Sequence, residues 1–140
     1  VISAEDLFQR LAFAAPYLEV PEEFTLPELI DFHFSFKKLF PGVTREELLE
    51  LSGLSSRRGL QIRHFSSGMK QRVRLLLACC SDTPLLLLDE PCSNFDLEAI
   101  DWYHSLINRF TAGRTVIVGS NRQEHEYSFC TRQIDLLHWK

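Results

Sequence analysis

The chain has 140 residues, 45% apolar and 24% charged, the size and balance of one ordinary domain with enough apolar material for a core. That composition excludes intrinsic disorder, and no run approaches the ~20 apolar residues a membrane-spanning helix needs. Val1-Ile2-Ser3-Ala4-Glu5-Asp6 has neither the basic lead nor the apolar stretch of a secretory signal, so a cytoplasmic protein is expected, and a start at Val rather than Met points to removal of upstream residues or to processing of an initiator.

The net charge of -4 is uneven. Between Leu51 and Ser81 lie Arg57, Arg58, Arg63, Lys70, Arg72 and Arg74 with no acidic residue. A basic stretch in an acidic chain predicts an anionic partner. Few aromatics interleave with these cations, which favours nucleotide phosphates over nucleic acid.

In chain order, Leu11-Ala12-Phe13-Ala14-Ala15 is a short apolar run stopped by Pro16 and predicts a buried strand. Thr25-Leu26-Pro27-Glu28 is a capping-box pattern with Pro in the first turn. Leu29, Phe32, Phe36 and Phe40 follow at helical spacing as a core stripe, and Pro41-Gly42 ends the run. Phe34 falls off that stripe beside His33, and a second apolar side predicts a partner surface. Thr44-Arg45-Glu46-Glu47 opens a short helix that Ser52-Gly53 closes.

From there helix and strand alternate: a helix over Gly68 to Cys80, a strand over Leu85 to Leu88, a helix over Leu97 to Phe110, then strands over Thr115 to Val118 and Ile134 to Leu137. This alternation predicts an α/β fold with a parallel sheet covered on both faces. Ligands in such sheets gather at the carboxyl ends of the strands, where Asp89, Glu90 and Gly119-Ser120-Asn121 fall. The four cysteines and five histidines form no metal-binding array in the sequence, which predicts free, buried or half-buried thiols.

An apolar strand ending in two carboxylates can hold Mg²⁺ through Asp89 while Glu90 acts on an attacking water, as phosphoryl transfer requires. A lone strand end reads equally well as a polar terminus. Ser66-Ser67-Gly68 opens a helix whose N–H groups, with Lys70 and Arg72 in the first turn, suit a phosphate, or simply cap the helix.

In combination, Phe65-Ser66-Ser67-Gly68-Met69-Lys70-Gln71-Arg72, Leu85-Leu86-Leu87-Leu88-Asp89-Glu90-Pro91 and Ser93-Asn94-Phe95-Asp96 resemble the signature, Walker B and D-loop motifs of ATP-binding cassette (ABC) ATPases. Gly68 lies 21 positions before Asp89. Thr25-Leu26-Pro27-Glu28 resembles the start of the family's helical subdomain, and Thr115 to Asn121 its switch strand. Nearly the whole chain is covered, but no Gly-x-x-x-x-Gly-Lys-Ser/Thr phosphate loop occurs in it. The resemblance implies a partial P-loop NTPase fold: an α/β core over residues 1–23 and 76–140, with a helical signature subdomain over 24–75.

It also implies an ATP-binding subunit of an ABC transporter that uses ATP and Mg²⁺, sits on the cytoplasmic face of a membrane, and partners a transmembrane permease subunit and a second ATPase subunit. In the family two cassettes close head to tail around ATP. Ser66, Ser67, Gly68, Met69 and Asp96 would then contact nucleotide, Asp89 would support Mg²⁺, and Glu90 and Asn121 would serve catalysis. Three positions depart from the family pattern: Ser67 stands for a glycine, Asn121 for the switch histidine, and Tyr17 is the nearest polar group to the expected metal-linking glutamine. No metal role is assigned to Tyr17. The alternatives are a non-hydrolysing regulatory cassette and a soluble ABC ATPase acting with nucleic acid or the ribosome. A chain holding only part of such a sheet is also expected to expose apolar surface and to self-associate.

Overall fold

The computed structural model describes residues 1–139. Three parallel strands, β1 (Leu11–Ala14), β2 (Leu85–Asp89) and β3 (Thr115–Gly119), pair in the order β1-β2-β3. Ala14 lies beside Leu88, and Leu88 beside Val118. A short helix, α1 (Ala4–Arg10), precedes β1 and buries none of its residues. Its start is marked by the Ser3 hydroxyl, which accepts from the Asp6 N–H at 3.1 Å.

Between β1 and β2 the chain forms α2 (Leu26–Phe36), α3 (Arg45–Ser52) and α4 (Ser67–Cys79). Thr25 and Glu28 close the expected capping box of α2, and Thr44 caps α3. Helix α4 is the most deeply buried, with Gln71, Val73 and Leu75 to Cys79 all inside. Between β2 and β3 runs α5 (Leu97–Phe110), which buries Tyr103, Leu106, Ile107 and Phe110. A single turn, α6 (Glu124–Tyr127), follows β3.

The buried face of α2 is not the one its phenylalanine spacing predicts. Leu26, Leu29, Ile30 and Phe34 point inward, while Phe32 and Phe36 are 47% and 58% exposed and stack edge to face with one another. The helix stops at Phe36 because Lys37 is extended, so Phe40 leaves the helical stripe and packs against Phe110. Lys37 is buried, its ammonium donating to the carbonyls of Phe8 and Leu11 and lying over the Phe8 ring, which ties α2 to α1 and β1.

The sheet is covered on one face, not two. Ala12, Ala14, Leu86 and Leu88 join the core with α4 and α5, whereas the opposite row includes Phe13 and Ile117, 40% and 56% exposed. The expected strand over Ile134 to Leu137 is an exposed segment with a 3₁₀ turn at Leu136–His138, and it pairs with no described strand. Without a neighbouring ladder an extended segment gains no backbone hydrogen bonds, and the Asp135 carboxylate caps the turn instead.

The Arg114 guanidinium joins the layers. It donates to the carbonyls of Cys79, Phe110, Ser81 and Thr83 at 2.7–3.0 Å and to the Thr83 hydroxyl at 2.9 Å. Arg114→Ala is expected to destabilise the chain by about 3 kcal/mol, measured by denaturant unfolding, because buried carbonyls lose a charged donor. Arg114→Lys is expected to recover little of this, since an ammonium cannot span the same fork.

His33 is largely enclosed, 3.0 Å from the Ser81 hydroxyl, and burial together with the Lys37 ammonium lowers its pKa to about 4. The unfolded chain therefore binds a proton that the folded chain refuses between about pH 6.5 and pH 4, and stability falls as pH drops through that window. Unfolding at about pH 7 and about pH 5 is expected to differ by about 2 kcal/mol from this group, and His33→Gln to remove that component.

Candidate functional site

Strand β2 delivers Asp89 half-buried at its carboxyl end. Asp89 Oδ2 accepts from the Tyr17 hydroxyl at 3.0 Å, and this bond, ahead of burial, raises the Tyr17 pKa. Tyr17 thus reaches the metal candidate directly. The sequence names its hydroxyl as the nearest polar group but does not foretell the contact. On the other side a Cβ at Gly119 would stand 2.8 Å from Asp89 Oδ1, so only glycine lets β3 pass so close to the carboxylate.

Glu90 follows in a left-handed conformation, φ +43°, its N–H donating to the Gly119 carbonyl at 2.8 Å. The chain then turns through Pro91 to Phe95, with the Ser93 N–H on the Glu90 carbonyl and Asn94 at φ +63°. Buried Gln71 of α4 donates to the Pro91 carbonyl at 3.1 Å, which holds this turn to α4. Asp96 ends the turn and caps α5, accepting from the Ala99 N–H at 2.8 Å.

Ser66 caps α4, its hydroxyl accepting from the Met69 N–H at 3.2 Å, and both Ser66 and Ser67 are exposed. A Cβ at Gly68 would approach the Asn94 carbonyl at 3.1 Å, so the start of α4 packs closely on the turn after β2. The basic residues of this stretch mostly serve structure. Lys70 pairs with Glu22 at 2.6 Å, Arg72 lies over the Trp102 ring, and Arg74 donates to the Leu18 carbonyl at 2.7 Å. The expected presentation of Lys70 and Arg72 to a phosphate is therefore replaced by internal contacts with Glu22 and Trp102.

A pocket of about 310 Å³ opens at the carboxyl ends of β2 and β3, lined by Glu90, Cys92, Ser93, Asn121, His125 and Glu126 among others. The structure thus brings Glu90 and Asn121 together. Asp89, Ser66, Ser67, Gly68, Met69 and Asp96 do not line that pocket. Burial pushes the Cys79 and Cys92 thiols up to about 12, with Glu126 adding to the effect at Cys92, so without a bound cation both thiols are protonated at neutral pH. The four cysteines are free and buried or half-buried, as the sequence predicts. Cys92 and the adjacent pair His125 and Glu126, far from it in the chain, place their donor atoms within 4.8 Å of one another. Spacing carries no sign of this because the three come together only through the pairing of β2 with β3.

The sequence pattern of the ABC transporter family matches residues 20–93, more than half of the chain. The chain belongs to the ABC transporter family. It is 32% identical over 117 residues to an uncharacterized ABC transporter ATP-binding protein, YhcH, of Bacillus subtilis, covering 76% of this chain and 38% of that protein. It is 33% identical over 86 residues to the Nod factor export ATP-binding protein I of Cupriavidus metallidurans, covering 60% of this chain and 28% of the relative. Among solved structures, the ATP-binding subunit of an ABC transporter superposes with a TM-score of 0.75 at 25% identity, over 90% of this chain and 54% of the other. A dimeric ATP-binding cassette bound to ADP and Pi gives a TM-score of 0.72 at 19% identity, over 87% and 56%, and shares the fold. The ABC chain thus spans under half the length of these curated relatives and about half of the solved cassettes.

The Asp89 donor set fits the Mg²⁺ implied by the family. One half-buried carboxylate at a strand tip, with its Oδ2 already oriented by Tyr17, suits a hard cation that keeps several waters. Gly119→Ala is expected to displace the Asp89 side chain and cost about 1–3 kcal/mol by overpacking, checked by denaturant unfolding beside the wild type.

Proposed function

We propose that this chain is part of the ATP-binding subunit of an ABC transporter and that ATP binding and hydrolysis there drive transport across a membrane. The observation that carries this reading is the Asp89–Glu90 pair at the carboxyl end of a central parallel strand, with Asn121 on the same pocket as Glu90. Asp89 would hold Mg²⁺, which when bound neutralises phosphate charge. Glu90 would orient and deprotonate the attacking water, and Asn121 would hydrogen-bond at the switch position. Ser66, Ser67, Gly68, Met69 and Asp96 would meet ATP held by a second, opposing cassette, the exposed start of α4 presenting its N–H groups.

A permease subunit would dock on the helical portion, residues 24–75, at the cytoplasmic face of the membrane. Exposed Phe32 and Phe36 support this reading, bordering an apolar pocket of about 290 Å³ with Phe8 and His33. No described helix is long and apolar enough to cross a membrane itself.

The test is Glu90→Gln in the full-length protein, with ATP turnover and ATP affinity measured together. Turnover is expected to fall by ~100-fold or more with affinity retained, as for loss of a general base. Unchanged turnover would favour the non-hydrolysing regulatory cassette, a reading supported by Ser67, Asn121 and the Tyr17 bond to Asp89. The 140-residue chain alone is expected to show no hydrolysis and at best weak ATP binding, because it has no phosphate loop. Micromolar ATP binding by calorimetry would contradict that.

A further inference from the structure

We propose that Cys92, His125 and Glu126 form a binding site for a zinc-class divalent cation, separate from the Mg²⁺ position at Asp89. Sulfur, imidazole nitrogen and carboxylate oxygen all lie within 4.8 Å of one another. Donors around tetrahedral zinc stand about 3.3–3.8 Å apart, so small side-chain rotations would close the set. A donor set containing a thiolate selects a borderline metal such as Zn²⁺ over Mg²⁺, which takes oxygen.

The electrostatics of Glu126 point the same way. Its side chain is 2% exposed, and no Lys, Arg or His forms an ion pair with it among the described residues. Its two oxygens accept from the Cys92 N–H at 3.0 Å and from the Ser120 hydroxyl. A buried carboxylate with only neutral donors is costly, and a cation seated between it and Cys92 would supply the missing countercharge.

The surroundings hold the donors in place. The Tyr103 hydroxyl donates to the Glu126 carbonyl at 2.7 Å, and the His104 Nε2–H donates to the His125 carbonyl at 2.7 Å, so α5 fixes the backbone of both residues. Three protein donors leave a fourth position facing the pocket, where a water would complete the tetrahedron. Asp89 does not line this pocket, and its Oδ2 already accepts from the Tyr17 hydroxyl. A bound ion would join the turn after β2 to α6 and so cross-link the segments carrying Glu90 and Asn121. None of this depends on the nucleotide reading.

The test uses the intact chain, reduced and stripped of metal, titrated with Zn²⁺ against a chromophoric chelator and separately with Co²⁺ for its spectrum. One equivalent of Zn²⁺ is expected to bind, unaffected by excess Mg²⁺, and Co²⁺ to show a thiolate charge-transfer band. Cys92→Ser should abolish that band, Glu126→Gln and His125→Ala should each weaken Zn²⁺ by ~10-fold or more, and Cys130→Ser should change neither. His125 is only half-buried, so His125→Ala keeps the test decisive if Cys92→Ser fails to fold by circular dichroism. Absence of stoichiometric Zn²⁺ binding, a band that survives Cys92→Ser, or unchanged affinity in folded His125→Ala would overturn the proposal.

Discussion

The guanidinium of Arg114 is the contact on which the layers depend. Parallel strands need crossover connections, and each crossover here ends in a helix whose last carbonyls point toward the start of the next strand. Cys79 closes α4, Phe110 closes α5, and Ser81 and Thr83 lead into β2; one planar cation donates to all four of their carbonyls. A positive group at helix carboxyl ends is also favoured by their dipoles. The carboxyl ends of the strands, at the opposite edge of the sheet, remain open for chemistry.

Much of this arrangement is legible in the residues. The caps Thr25, Thr44, Ser66 and Asp96 each mark a helix start, and Leu85 to Leu88 and Thr115 to Val118 are strands because near-continuous apolar runs flanked by turns suit a parallel sheet. What sequence spacing misses is tertiary. Phe32 and Phe36 share a helical face with Leu29, yet the core contacts α2 on the side of Ile30 and Phe34. Charge is equally silent about partners: Lys70 and Arg72 satisfy Glu22 and Trp102, each distant in the chain. Short α1 escapes notice because its only signal is Ser3 followed by Asp6.

The candidate site is legible in its parts more than in its geometry. Asp89 and Glu90 are adjacent in the chain, but the left-handed backbone at Glu90 sends their side chains to different surroundings. Asp89 accepts from Tyr17 and lies beside Gly119 of β3, while Glu90 faces the pocket with Asn121. A non-glycine residue at positive φ is strained and persists where neighbours over-determine it, here through the Gly119 carbonyl and the Gln71 hold on Pro91. The signature helix is therefore coupled mechanically to the turn that aims Glu90.

The uncovered face of the sheet has a thermodynamic consequence. Phe13 and Ile117 form part of an apolar surface that only the folded chain presents as a continuous row. Whatever covers that row, a second copy or another polypeptide, binds the native state in preference to the unfolded one and shifts the folding equilibrium by mass action. A partner that covered this row would make the melting temperature of the chain a function of that partner's concentration.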